Sequence, residues 1–328
     1  MSAGRVVELG MLVPRLTEAI ETFLIFGYEL AERGEPVSGE EGRVLRTARL
    51  TLRNGPDLVL EQLDGADGEP VLPRWGLDSH PCWYVDDMAA AVAAVRERGM
   101  ATENDVFDRF GPEAGDEATY IHFPTPWGMD VELISNPHPI AYESAGGPLL
   151  WHPGRPETWG EGEESAPVEP PTHGMPTNRG TAHMGMRVPD VEEAIEFFVA
   201  ELGCELLYRH APLQRSGGRW TEIPEQGEPP EPDRSVPDER FPHGTRIRVA
   251  FLRCANFNFE PMELMIPGGD GVLEPVFDAE AAAVMHPVFD AATVDAAALE
   301  AAGARREDLL PGTPRYLTPW GQPIGLTG

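Results

Sequence analysis

The sequence predicts an α+β protein built from four copies of one βαβββ unit, on the strength of two internal repeats. The stretch VVELGMLVPRLTEAIETFLIFGYEL, from Val6 to Leu30, returns as TAHMGMRVPDVEEAIEFFVAELGCEL from Thr181 to Leu206, with one residue of slippage before the glycine. Gly10, Met11, Val13, Pro14, Glu18, Ala19, Ile20, Glu21 and Phe23 match Gly185, Met186, Val188, Pro189, Glu193, Ala194, Ile195, Glu196 and Phe198. The second repeat is TPWGMDVEL, Thr125 to Leu133, against TPWGQPIGL, Thr318 to Leu326. Each follows a strand start of the form His-Pro, at His80 or His286. The chain therefore reads A-B-A′-B′.

Each unit opens with a short apolar strand, passes through Pro or Asp into an amphipathic helix, and continues into further strand-like runs. In the third unit Asp190 is a natural N-cap, and Ala194, Ile195, Phe198 and Leu202 form the apolar stripe. In the second, Asp86 or Asp87 precedes a helix over Ala90 to Arg98, which Gly99 ends. The stretch 136–180, rich in Pro, Gly and Glu, reads as a linker, with Leu149, Leu150, Trp151 and Trp159 available to pack onto a domain. It divides an N-terminal domain, 1–135, from a C-terminal domain, 181–328. Within the latter an irregular, proline-rich loop over 210–243 reads either as a lid or binding loop or as disorder.

Composition excludes several function classes. The 328 residues carry 55 acidic against 25 basic side chains, a formal charge of −30, which repels nucleic acid and anionic membrane surfaces. None of the basic residues is lysine, so Schiff-base chemistry, pyridoxal phosphate attachment and a P-loop lysine are ruled out, and no nucleotide cofactor is expected. No apolar run has the length of a membrane span and the N-terminal residues lack a signal-peptide layout, making the cytoplasm the expected compartment. Cys82, Cys204 and Cys254, odd in number and scattered, are expected to be buried thiols.

The strand starts in HMGMRVPDVEEAIEFFVAELG, followed by MELM, HP and TPWGMDVEL, resemble the vicinal oxygen chelate superfamily of glyoxalase I, methylmalonyl-CoA epimerase, extradiol dioxygenases and bleomycin or fosfomycin resistance proteins. The resemblance implies that the four βαβββ modules pair into two cupped half-barrels, each module offering one metal ligand from its first strand and one from its last. Transferred residue by residue, it gives Glu8 and Glu61 in the first module, His80 and Glu132 in the second, and His183 and Glu263 in the third. The fourth offers His286, with Gly325 where Glu132 stands in its partner. A single His or Glu on a strand is usually structural. Recurrence at matched positions, with Glu inside the apolar runs LVLEQL, DVELIS and PMELM, shifts the reading toward a divalent metal: Fe, Zn, Ni or Mn.

Two pairings of the modules remain open. If neighbours pair, one cup holds Glu8, Glu61, His80 and Glu132, and the other holds His183, Glu263 and His286. If the middle modules pair with each other, His80, Glu132, His183 and Glu263 form a complete set, and both anomalies, Glu8 and Gly325, fall in the outer cup. The second arrangement explains the losses and is preferred.

The resemblance implies an enzyme acting on a small oxygenated molecule, as a lyase or isomerase transferring a proton through a metal-bound enediolate, with Glu132 or Glu263 as the base. An Fe(II)-dependent extradiol dioxygenase is the alternative, although the stretches before Tyr120 and Tyr316 lack the histidine of that family motif, leaving His122 as a substitute. A small-molecule binder of the antibiotic-resistance type, with Trp83, Trp127, Trp320, Phe257 and Phe259 as stacking surfaces, is a third reading. A monomer or a homodimer fits each.

Overall fold

The computed structural model describes residues 3–39, 42–73, 79–100, 106–153, 174–175, 177–217, 219–224, 230–235, 241–268, 272–307 and 315–327. Much of the linker, 154–173, and parts of the 210–243 loop lie outside the described residues. The first module contributes β1 (Val6–Leu12), α1 (Leu16–Ile25), β2 (Glu29–Arg33), β3 (Val37–Ser38), β4 (Val44–Thr51) and β5 (Asp57–Asp64). The second contributes β6 (His80–Val85), α2 (Met88–Glu97), β7 (Phe107–Asp108), β8 (Thr119–Pro124) and β9 (Asp130–Ser135), and is followed by the short α3 (Ala141–Ser144). The third runs through β10 (Asn178–Arg187), α4 (Val191–Ala200), β11 (Glu205–Arg209), β12 (Leu213–Ser216), β13 (Arg219–Glu222), β14 (Arg246–Arg253) and β15 (Asn258–Pro267). After β16 (Leu273–Val276) and α5 (Ala279–Ala282), the fourth holds β17 (Met285–Asp290), α6 (Ala296–Ala301), β18 (Arg305–Glu307), β19 (Arg315–Leu317) and β20 (Pro323–Thr327).

The helix signals act as expected. Asp190 accepts from the backbone N–H groups of Glu192 and Glu193 at the start of α4, and Asp87 caps α2 through Ala90 N–H. Gly99 closes α2 at φ +79°, a conformation open to glycine at no steric cost.

Sheet pairing cuts across the two sequence halves. One sheet runs β18-β19-β20-β17-β1-β5-β4-β2 and joins modules four and one. The other runs β13-β12-β14-β15-β10-β6-β9-β8-β7 and joins modules three and two. The joins are antiparallel first-strand pairs, β1 with β17 and β6 with β10, and they are pseudo-equivalent: Gly10 lies opposite His286, and Gly185 opposite His80. The boundaries 1–135 and 181–328 thus mark the duplication, whereas each sheet draws on both halves.

The helices pack into a hydrophobic core that both sheets share. Phe26 stacks on Trp83 of the other sheet at 4.4 Å between centroids, and the Trp83 indole N–H donates to Tyr28 Oη at 3.0 Å. The start of the linker is tied down: Asn258 exchanges two hydrogen bonds with the backbone of Trp151, while Leu150 packs with Tyr208 and Phe251. The expectation of three free thiols is corrected, since Cys204, just past α4, is bonded to Cys254 at the end of β14, and only Cys82 is free. A sequence separation of 50 between the bonded pair hides a contact that the third module's folding creates. Among the described residues no helix is long and apolar enough to cross a membrane.

Candidate metal centre

Strand alternation decides which side chains enter the inner cup. In β6, Trp83 and Val85 point into the shared core, so His80, Cys82 and Tyr84 take the other face. In β9, Val131 and Leu133 go to the core and Glu132 to the cup, and in β10 Met184 and Met186 leave His183 on the cup side. Phe257 and Phe259 are core, which turns Glu260 and Met262 of β15 inward. At the β6–β10 join the His80 ring lies over Gly185, where a Cβ would collide with the imidazole. Glycine here makes room for the histidine.

His80, Glu132, His183 and Glu260 converge, with one potential ligand atom of each within 4.8 Å of all the others. His80 Nε2 lies 3.3 Å from Glu132 Oε2 and 3.6 Å from Glu260 Oε2; His183 Nε2 lies 3.0 and 3.3 Å from the same two oxygens. Ligands bound to one ion at about 2.0–2.2 Å sit about 3–3.5 Å from one another, so these spacings fit a shared cation. Glu132 Oε2 and His183 Nε2 are buried, and their polar neighbours are one another and the cluster's other donor groups, which a bound metal would gather around itself. Neutral imidazole and carboxylate suit a borderline divalent ion, and the donor set is appropriate to one.

The electrostatics are those of a cation-seeking cluster. Burial opposes charge on His183, but the hydrogen-bonding and negative charge of Glu132 and Glu260 outweigh it and push its pKa up to about 9. His80 is raised by the same contest between burial and Glu132. Burial works to raise Glu132, yet His122, His183 and His80 hold it well below the usual carboxylate range. His122 backs the cluster, its Nε2 3.5 Å from Glu132 Oε1 and its Nδ1 3.4 Å from Asp130 Oδ2.

The cluster borders a half-open cavity of about 610 Å³ including its mouth. Tyr120, His122, Phe110, Trp220 and Met262 form part of its wall, and Arg109, Glu113 and His210 supply further polar groups. Trp220 and Leu213 come from the hairpin β12–β13, so the described part of the irregular 210–243 stretch helps to enclose the cavity.

The structure brings His80, Glu132 and His183 together as the sequence suggested, but not Glu263. Glu263 lies three positions beyond Glu260 in an extended strand, an odd offset that puts them on opposite faces. Glu263 instead meets Arg248 Nη1 at 2.8 Å and accepts from Val191 N–H at the start of α4. The resemblance of MEL to VEL pointed to Glu263, which lies outside this cluster; the apolar alternation of Phe257 and Phe259 is the signal that turns Glu260 toward it.

The outer cup differs in kind. His286 occupies the place of His80 and packs over Gly10 as His80 does over Gly185. Glu8 takes the place of His183 and is paired with Arg49. Register puts Val59, not Glu61, where Glu260 stands: Gly10 pairs with Val59 as Gly185 pairs with Glu260. Glu61, two residues further, is paired with Arg315; burial nevertheless leaves its pKa raised. Gly325 lies opposite Val288 as Glu132 lies opposite Cys82, and a Cβ there would press on the Val288 side chain. Burial, reinforced by Arg315, keeps His286 well below its ordinary pKa. Two guanidinium groups thus compensate the carboxylates of the outer cup.

Cups made of paired βαβββ modules, with a His/Glu group on their central strands, define a glyoxalase-like protein. No family model matches the chain. A 2-epi-5-epi-valiolone epimerase from an Actinomyces species is 33% identical over 169 residues, covering 46% of this chain and 90% of that protein. Glyoxalase I from Zea mays shares the fold over 99% of this chain and 92% of its own, with a TM-score of 0.54 at 16% identity. A candidate dioxygenase from Bacillus subtilis does so over 99% and 85%, with a TM-score of 0.50 at 11% identity. This chain belongs to the vicinal oxygen chelate superfamily.

Proposed function

We propose that this protein is a metal-dependent enzyme that moves a proton on the carbon next to a carbonyl of a small oxygenated molecule, with epimerisation as the overall reaction. The convergence of His80, Glu132, His183 and Glu260 beside a cavity carries this reading, and the similarity to an epimerase supports it. A divalent ion held by these four residues supplies Lewis acidity toward the substrate carbonyl, which acidifies the neighbouring C–H.

Glu132 and Glu260 are the candidate bases. The strand order β15-β10-β6-β9 puts them on strands that flank the two histidine strands on opposite sides. One carboxylate can therefore take a proton from one side of a bound substrate while the other returns it from the opposite side, which inversion of a carbon requires. His122 faces the Glu132 carboxylate and orients it, while Phe110, Trp220 and Met262 limit water at the reacting carbon. Oxygen chemistry at non-haem iron typically uses two histidines and one carboxylate with open positions. The second carboxylate here favours proton transfer over that alternative.

The test is solvent deuterium incorporation, followed by NMR, into the α-carbon of 2-oxo-aldehydes, acyl-CoA thioesters and hydroxyketones with protein loaded with Zn, Mn, Ni or Fe. Incorporation that disappears in Glu132→Gln and Glu260→Gln is expected. Oxygen uptake with catechols and no exchange would overturn the proposal in favour of a dioxygenase. Ligand affinity that persists unchanged after metal removal would favour a binder.

A further inference from the structure

We propose that one wing of the inner cup is an apolar subsite for a flat hydrocarbon ring, so that the substrate is a carbonyl compound carrying an aryl or similar ring beside its reacting carbon. The proposal rests on the metal-dependent reading above and extends it to substrate class.

Among the described residues the apolar lining of the cavity is Phe110, Leu213, Trp220, Ile247, Val249 and Met262, and all but Phe110 come from module three. These six belong to a hydrophobic cluster separate from the core beneath the helices. On β14 the alternation sends Ala250 and Leu252 to that shared core and turns Ile247 and Val249 to the cup. Phe110 and Trp220 are only partly buried and keep ring surface at the cavity. The indole is held in place: Arg215 packs over the Trp220 and Phe241 rings at 5.3 and 5.4 Å, and the two rings lie 5.3 Å apart. A fixed aromatic surface takes a ligand ring at little entropic cost. Module two lines the other wing with the polar groups of Tyr120, His122, Arg109 and Glu113. The candidate metal group lies between the wings, since Glu260 shares the inward face of β15 with Met262 and Glu132 pairs with His122. A substrate whose carbonyl reaches that group therefore lays one side against the apolar wing.

The internal duplication supplies a control, because the fold does not require this wing to be apolar. Met262 lies opposite Arg187, two residues past Gly185, as Glu61 lies opposite Leu12, two residues past Gly10. Met262 pairs in turn with Val249, and Glu61 with Thr47. Phe251 packs on His183 at 5.2 Å between ring centroids, whereas Arg49 of the outer cup is paired with Glu8, the counterpart of His183. The outer cup thus carries Thr47, Glu61 and Arg49 on the wing where the inner cup carries Val249, Met262 and Phe251. Apolar side chains that border a cavity, at positions the same fold fills with charge elsewhere, fit a ligand that covers them.

The test compares α-hydroxyacetophenone with hydroxyacetone, which share a hydroxymethyl ketone and differ only in a phenyl or a methyl group. Dissociation constants are measured by calorimetric titration of the full-length, zinc-loaded protein. The aryl ketone is expected to bind at least about tenfold more tightly, a lower bound for burying a phenyl in place of a methyl. Trp220→Ala is expected to bring the ratio of the two affinities close to one with metal content unchanged, and Trp220→Phe to restore most of it. Val249→Thr, which copies the outer cup, is expected to weaken the aryl ketone by about fivefold. Equal affinities, failure of both ketones to bind, or folded Trp220→Ala and Val249→Thr variants that keep the wild-type ratio would each overturn the proposal. A preference for the aryl ketone without deuterium exchange at its hydroxymethyl carbon leaves the apolar subsite standing and counts only against the proton-transfer reading. Exchange of both ketones at equal affinity does the reverse.

Discussion

Replacing Glu260 by Gln tests the metal centre most directly, because Glu263 supplies an internal control on the same strand. Losing residues that only orient a ligand typically costs 10–100-fold in metal affinity, so losing a direct ligand is expected to cost at least about 100-fold, or about 2.7 kcal/mol. Glu263→Gln should leave the metal untouched. Its partner Arg248 is 36% exposed, so the ion pair is discounted for solvent to about 0.5 kcal/mol, and loss of negative charge at the α4 N-terminus adds about as much. The expected fall in Tm is about 2 °C. Elemental analysis of the isolated proteins and calorimetric titration of metal-stripped samples with Zn or Mn measure both effects. Full metal occupancy in Glu260→Gln, or its loss in Glu263→Gln, would refute the assignment of β15's inward face.

Three further outcomes are expected. Gly185→Ala and Gly10→Ala both force a Cβ into a histidine ring and should each cost about 1–3 kcal/mol in denaturant unfolding, but only Gly185→Ala should lower metal content, because His286 under Gly10 lacks the carboxylate set. Arg315→Met strands the buried Glu61 carboxylate and should destabilise the fold by about 3 kcal/mol, read by chemical denaturation, with one metal ion per chain still bound. In metal-free protein His183 has its pKa raised from 6.5 to about 9, against burial, by Glu132 and Glu260. Its protonation therefore stabilises the apo fold fully below pH 6.5, and that stabilisation is lost as pH rises through about 9. A metal must displace this proton, so apparent metal affinity should climb over the same window and level above it; a flat titration profile would contradict the electrostatics.

The repeats made the modules legible because each βαβββ unit carries its own local signals: Asp190 and Asp87 as caps, and Gly99 as a stop. His80, Glu132 and His183 were legible for the same reason, since each sits at a repeated strand start or strand motif. Glu260 was hidden by a neighbour three residues away inside the same apolar run, where motif likeness and strand parity point to different glutamates. Parity prevails because Phe257 and Phe259 must be buried in the core that α4 helps to build. Glu61 misled in the same way: its place in LVLEQL looked like a ligand position, yet the register of β1 on β5 assigns that position to Val59.

Sequence alone determined the four modules, the caps of α2 and α4, the acidic charge and the absence of lysine chemistry, all of which depend on residue type and local spacing. Only the tertiary structure decided that β6 joins β10 and β1 joins β17, because hydrogen-bonding edges carry no signature in the side chains that flank them. That choice brings two histidines and two glutamates together in the inner cup and leaves Arg49 and Arg315 paired with carboxylates in the outer one. The contacts of Tyr208 and His210 with Glu113 likewise exist only once modules two and three share a sheet, since these residues lie about a hundred positions apart.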